Sequence, residues 1–183
     1  ANYPTFDPNA IQNKSLKNTK LSFISDPFEP GSVFKTFTVA SAFENKIAMP
    51  DTNFYCERGS LKIGEHIIRE ADLKKKYEWL SVSEILKYSS NIGTTKIAFD
   101  LTFPKLRQTL VELSIGQKTG VEMPGESRGI FTSKVNIIPL SLSNISFGQG
   151  VATTGIQILS AYSTIANGGY LVRPTIVKKW EGE

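Results

Sequence analysis

The chain has 183 residues, enough for one domain or most of one, and its 40% apolar content supports a real core. With 21 Lys and Arg against 17 Asp and Glu the net charge is a modest +4, and no interleaving of basic and aromatic residues argues for a nucleic-acid partner. One cysteine, Cys56, excludes an internal disulfide and a cysteine zinc site; one histidine, His66, excludes a histidine metal cluster; and no run of about 18 apolar residues is present to cross a membrane.

Residues 1–20, rich in Asn, Pro, Lys and Ser, read as an extended surface arm. Leu21–Ser25 reads as a short strand, ended by Asp26-Pro27 and Pro30-Gly31. From Ser32 the run SVFKTFTVASAFEN places Val33, Phe34, Phe37, Ala40 and Phe43 near helical spacing, with Ser32 at the helix start. The stretch NFYCERGSLKIGEHIIRE alternates weakly and predicts a hairpin turning at Arg58-Gly59-Ser60. Lys74-Lys75-Lys76 reads as a solvated face. Ser81 to Lys87 opens a second helix with a Ser81–Glu84 capping box, and PKLRQTLVEL forms a third. The Gly- and Pro-rich ELSIGQKTGVEMPGESRG is loop. PLSLSNISFGQG is a helix running into a glycine turn, and TGIQILSAYSTIANGG is an amphipathic helix stopped by Asn167-Gly168-Gly169. YLVRPTIVKKW predicts an edge strand, the position where a proline is tolerated.

Chemistry concentrates on Ser32 and Lys35. A serine hydroxyl is a weak nucleophile that needs a base in contact with it, and residues three apart share one helix face. Lys35 can act as that base only if burial lowers its pKa, and Val33, Phe34 and Phe37 can supply the apolar surround. On Ser-x-x-Lys alone, a capping serine followed by a surface lysine fits as well. The balance moves because Ser32 opens the only Ser-x-x-Lys, and Ser89-Ser90-Asn91, 57 residues later, is the only Ser-x-Asn. A second serine can relay a proton to a leaving amine, and an asparagine amide can hold both a lysine and a substrate amide.

With these motifs the chain resembles the transpeptidase domain of class B penicillin-binding proteins, whose motif set is Ser-x-x-Lys, Ser-x-Asn and Lys-Thr-Gly. FEPGSVFK is similar to the nucleophile segment and YSSNIG to the second motif. NYPTFDPN, TGVEMPGE, SFGQG, TGIQILSAYSTIANGG and RPTIVKK resemble further family segments in the right order. The resemblance implies an α/β fold: mainly the helical subdomain and serine-bearing helix of the β-lactamase/transpeptidase-like fold, with an incomplete antiparallel sheet.

The resemblance also assigns roles. Ser32 is the nucleophile, with its backbone N–H one oxyanion donor. Lys35 is the base, Ser89 the proton relay, and Asn91 positions Lys35 and the donor peptide. The implied substrate is the D-Ala-D-Ala end of a peptidoglycan stem peptide, with β-lactams as mimics and no cofactor or metal. The implied partners are a membrane glycan polymerase and other division proteins, at the periplasmic face of the inner membrane, with an N-terminal anchor outside this chain. Rival readings are a serine β-lactamase, a β-lactam sensor, or a non-catalytic module of the same fold; no carboxylate near Ser89 stands out as a deacylation base.

Lys118-Thr119-Gly120 is read as a look-alike of the third motif. It falls only 29 residues past Ser89, between Gly116 and Pro124-Gly125, without strand alternation. The true third motif is expected after Lys179, so residues 1–183 read as one partial transpeptidase domain that lacks core strands and is inactive or weak alone. Without those strands, Phe34, Phe37 and Phe43 are expected to be exposed or covered by another chain.

Overall fold

A computed structural model describes residues 19–178 apart from 133, 135 and 136; the predicted N-terminal arm lies almost wholly outside these residues. The chain divides into two units, one built from 29–112 and 131–152, the other from 1–28, 113–130 and 153–183.

The first unit carries the serine segment. Gly31–Phe34 form a 3-10 turn that continues into helix α2, Lys35–Glu44. Strand β1, Asn53–Tyr55, pairs antiparallel with β4, Trp79–Ser81. Between them, β2, Ser60–Ile63, and β3, His66–Arg69, form their own antiparallel pair. The hairpin therefore turns at Gly64-Glu65, and the predicted turn at Arg58-Gly59-Ser60 is instead a 3-10 turn in which Glu57, Arg58 and Gly59 all have positive φ. A Cβ on Gly59 would meet the Lys75 carbonyl oxygen at 2.5 Å, so that glycine lets two backbone segments touch.

Helix α3, Val82–Tyr88, starts at the predicted capping box: Ser81 Oγ accepts from Glu84 N–H, and the Glu84 carboxylate accepts from Ser81 N–H. Helix α4, Asn91–Leu101, follows almost at once, then α5, Phe103–Glu112, and α6, Pro139–Ser146. The core joins Val39 and Ala42 of α2 to Phe54, Ile68 and Leu80 of the strands and to Ile85, Ile92 and Ile97. Buried hydroxyls tie the helices crosswise. Thr38 Oγ1 of α2 donates to the Ser146 carbonyl, Ser41 bonds Thr109 of α5, and Thr95 of α4 bonds Ser143 of α6.

The expectation for the aromatic face is corrected. Phe34 and Phe37 are fully buried and pack edge to face, centroids 5.3 Å apart, while Phe43 and Val33 remain exposed.

In the second unit, Leu21–Ser25 is not a strand. Ser22–Ser25 make a helical turn, α1, because the N–H groups of Ile24 and Ser25 bond the Leu21 carbonyl and no strand lies alongside among the described residues. Helix α7, Gly155–Ala166, begins with a second capping box, Thr154 with Gln157. The buried Gln157 amide also donates to the carbonyls of Gln117 and Arg128 at 2.6 and 2.9 Å, pinning the 113–130 loop to the helix. Residues 170–178 are irregular where an edge strand was predicted, since no ladder partner is present among the described residues; Lys179 and Trp180 lie outside them.

Candidate active site

Ser32 lies inside the 3-10 turn rather than at a helix cap. Neither that turn nor α2 has a side-chain cap, and Ser32 Oγ makes no hydrogen bond among the described residues. Its side chain is exposed. A 3-10 turn has three residues per turn, so side chains at i and i+3 eclipse and Ser32 and Lys35 share one side. The two alternatives raised by the spacing alone, a capping serine and a surface lysine, are both absent.

Lys35 is 1% exposed. Its Nζ donates to the Ser89 carbonyl at 2.5 Å and to Ser89 Oγ at 2.9 Å, joining residues 54 apart in sequence. Burial lowers its pKa from 10.5 to about 8, against a smaller upward pull from the Glu70 carboxylate; Lys75 adds a further lowering. Ser89 receives both bonds because it ends α3 in a left-handed conformation, φ 57° and ψ 45°. That is an uncommon state for a residue with a Cβ, and it turns the carbonyl and hydroxyl of Ser89 toward the lysine.

Asn91 sits elsewhere than expected. Its Nδ2 donates to the Arg69 carbonyl at 2.9 Å, and it forms no bond to Lys35 among the described residues. The β3 strand has captured that amide, and among the described residues it is Ser89 that bonds the lysine.

Sequence reasoning missed Glu70. It is 4% exposed; one carboxylate oxygen accepts from Ser90 Oγ at 2.6 Å and the other from Asn91 N–H at 2.7 Å. The signal was strand alternation: Ile68 faces the core, so Glu70 two residues on faces the same way. Ser90 Oγ in turn caps α4 by accepting from Gly93 N–H. Cys56 is fully buried close to Ser90, and burial pushes its thiol up to about 11, which leaves it a packed, unreactive residue. His66 is exposed at the hairpin end.

The approach to Ser32 is buttressed by Gly148-Gln149-Gly150. Gly31 N–H donates to the Gly148 carbonyl at 3.0 Å, and Gly150 N–H donates to the Glu29 carboxylate at 2.8 Å. A Cβ at Gly148 would fall 2.2 Å from the Gly31 oxygen.

Lys118-Thr119-Gly120 lies in irregular structure, not on a strand. The Glu126 carboxylate accepts from Thr119 N–H and Oγ1, both at 2.6 Å, and from Gly120 N–H at 3.1 Å. Those amides are committed within their own loop. No group of three or more metal-ligating side chains occurs among the described residues.

The helices with small antiparallel sheets are those of the β-lactamase-like fold seen in penicillin-binding transpeptidase domains. Residues 1–182 match the family model described as the penicillin binding protein transpeptidase domain, and the chain belongs to that family. It is 34% identical over 179 residues to penicillin-binding protein PbpB of Mycolicibacterium smegmatis, covering 97% of this chain and 27% of that protein. It is 30% identical to peptidoglycan D,D-transpeptidase FtsI of a Buchnera aphidicola strain, covering 98% and 30%. Among solved structures it resembles penicillin-binding protein 3 of Mycobacterium tuberculosis complexed with aztreonam, with a TM-score of 0.80 and 29% identity, over 94% of this chain and 38% of that one. The chain thus spans under a third of the length of these two relatives.

Proposed function

We propose that the intact protein is a peptidoglycan D,D-transpeptidase working through an acyl-serine at Ser32. The observation that carries this reading is Lys35: buried, held by Ser89, and lowered to about 8 one 3-10 turn from an uncommitted serine hydroxyl. Neutral Lys35 accepts the Ser32 proton as Oγ attacks the penultimate carbonyl carbon of a D-Ala-D-Ala terminus. The C–N bond breaks, and the proton passes from Lys35 through Ser89 to the departing amine. An amine of a second stem peptide then attacks the ester carbonyl, forming the cross-link and returning a proton to Ser32. A β-lactam replaces the dipeptide and leaves an acyl-Ser32 adduct.

The FtsI name of one relative and the aztreonam complex of another support the substrate class and β-lactam binding. As the family resemblance implies, we place the protein at the periplasmic face of the membrane, with a glycan polymerase and division proteins as partners. The β-lactamase alternative is disfavoured because Glu70, the buried carboxylate found beside the motif among the described residues, has both oxygens engaged by protein donors. The test is fluorescent-penicillin labelling of the intact protein. Ser32→Ala should abolish the label; label that persists defeats the acyl-serine assignment.

A further inference from the structure

Ser90 and Asn91 are held from outside their own helix. Ser90 is the N-cap of α4, and its single hydroxyl proton goes to Glu70 while its lone pair takes Gly93 N–H. Asn91 donates its backbone N–H to the second Glu70 oxygen and its side-chain amide to the neighbouring Arg69 carbonyl. The end of β3 therefore grips the middle and last residues of the motif with three hydrogen bonds. Burying a carboxylate is costly unless its oxygens are satisfied, and here both are satisfied by this one motif. Ser89, the first residue of the motif, has nowhere to relax. It is fixed behind by the end of α3 and ahead by the clamped Ser90, and its left-handed backbone is what aims the two acceptors at Lys35.

We infer that Glu70 is a positioning residue of the site: its carboxylate locks Ser90 and Asn91, and through them holds Ser89 in the conformation that grips Lys35. The inference rests on the acyl-serine reading above. Glu70 touches neither substrate nor nucleophile. It also brings a negative charge near Lys35, so its removal has an electrostatic signature beyond a looser structure. The charged and titratable groups acting on this cluster are Lys35 of α2, Lys75 after β3, Cys56 after β1, and the Glu57–Lys96 ion pair, N to O 2.6 Å, behind Cys56.

The experiment measures the second-order rate of acylation of the intact protein by a fluorescent penicillin from pH 5.5 to 9.5, normalised to folded fraction. Variants are Glu70→Gln and Glu70→Asp. Glu70→Gln should lower the plateau rate by about tenfold or more, since small misplacement of a catalytic group is enough for that. It should also move the acid limb to lower pH, because the charge that favours protonated Lys35 is gone. Glu70→Asp should return the limb toward the wild-type position. A Glu70→Gln enzyme with wild-type plateau and limb overturns the inference, as does a rate loss fully accounted for by folded fraction with an unmoved limb. If Glu70→Gln does not fold, Ser90→Ala is measured in its place: a lower normalised plateau supports the clamp, and an unchanged one overturns it. A Ser32→Ala control separates the two readings. Label persisting there defeats the acyl-serine mechanism itself, whereas label lost there with Glu70→Gln behaving as wild type defeats only the role of Glu70.

Discussion

Replacing Gly148 with alanine tests whether the glycine turn sets the position of Ser32. Gly148 has φ +81°, where a residue with a Cβ costs about 1–2 kcal/mol. The added Cβ would lie 2.2 Å from the Gly31 oxygen, 2.7 Å from Phe34 Cβ and 2.8 Å from the Gly31 nitrogen. Ordinary C···O contacts are about 3.3–3.6 Å, so the two segments must part by roughly 1 Å. Backbone supplies two of these three contacts, and no flexible side-chain end is available to yield. The Gly31–Gly148 hydrogen bond would be lost as well, for about 1 kcal/mol more. The total of about 2–3 kcal/mol corresponds to a fall in Tm of about 4–12 °C for a domain of this size. Because Gly31 immediately precedes Ser32, acylation of the remaining folded enzyme should drop about 100-fold. Gly150→Ala is the matched control. It has φ +69° but open space where its Cβ would go, so it carries the conformational cost without displacing the serine turn. Differential scanning fluorimetry and stopped-flow β-lactam acylation read the two effects. Equal acylation rates for the two variants would refute the idea that this turn positions the nucleophile.

Four other outcomes are expected. Acylation should rise with pH with an apparent pKa near 8, as only about a tenth of Lys35 is neutral at pH 7; a rate still climbing steeply beyond pH 9 would mean an ordinary lysine. The same shift has a stability sign: between about 8 and 10.5 the unfolded state binds more protons at Lys35, so stability rises with pH across that window, and Lys35→Met should remove that slope in urea titrations. Lys118→Ala should change acylation by less than about twofold, because its loop is closed by Glu126; a loss of 10-fold or more would restore this lysine as a candidate substrate-binding group. Ser81→Ala removes the cap of α3 and should cost about 0.5–2 kcal/mol in chemical denaturation with an unchanged slope.

Local signals in the sequence were reliable where the chemistry is local. The Ser81–Glu84 box, the glycine-stopped α7 and the loop character of 113–130 follow from residues a few positions apart. Ser32, Lys35, Ser89 and Asn91 stood out by motif, yet the bond that joins Lys35 to Ser89 spans 54 residues, and the diversion of Asn91 to Arg69 has no sequence mark. Helix α4 escaped notice because it is buried nearly all round, from Ile92, Gly93, Thr94 and Thr95 to Ile97, Ala98 and Leu101, so no apolar stripe alternates with a polar face. Leu21–Ser25 and Tyr170–Lys178 have strand composition, but strands exist only in pairs, and neither stretch has a neighbour to pair with among the described residues.

The junction of α3 and α4 leaves no slack in chain length. Ser89 is the last residue of one helix's cap and Ser90 the first of the next, so no linker separates the two axes. Inserting or deleting one residue there would rotate everything after it by about 100° about the helix axis. Between β3 and β4 the exposed stretch around Leu73 and Lys74 can absorb such a change. Homologues should therefore vary freely in the number of residues separating Glu70 from Trp79, and hardly at all in the number separating Glu84 from Gly93.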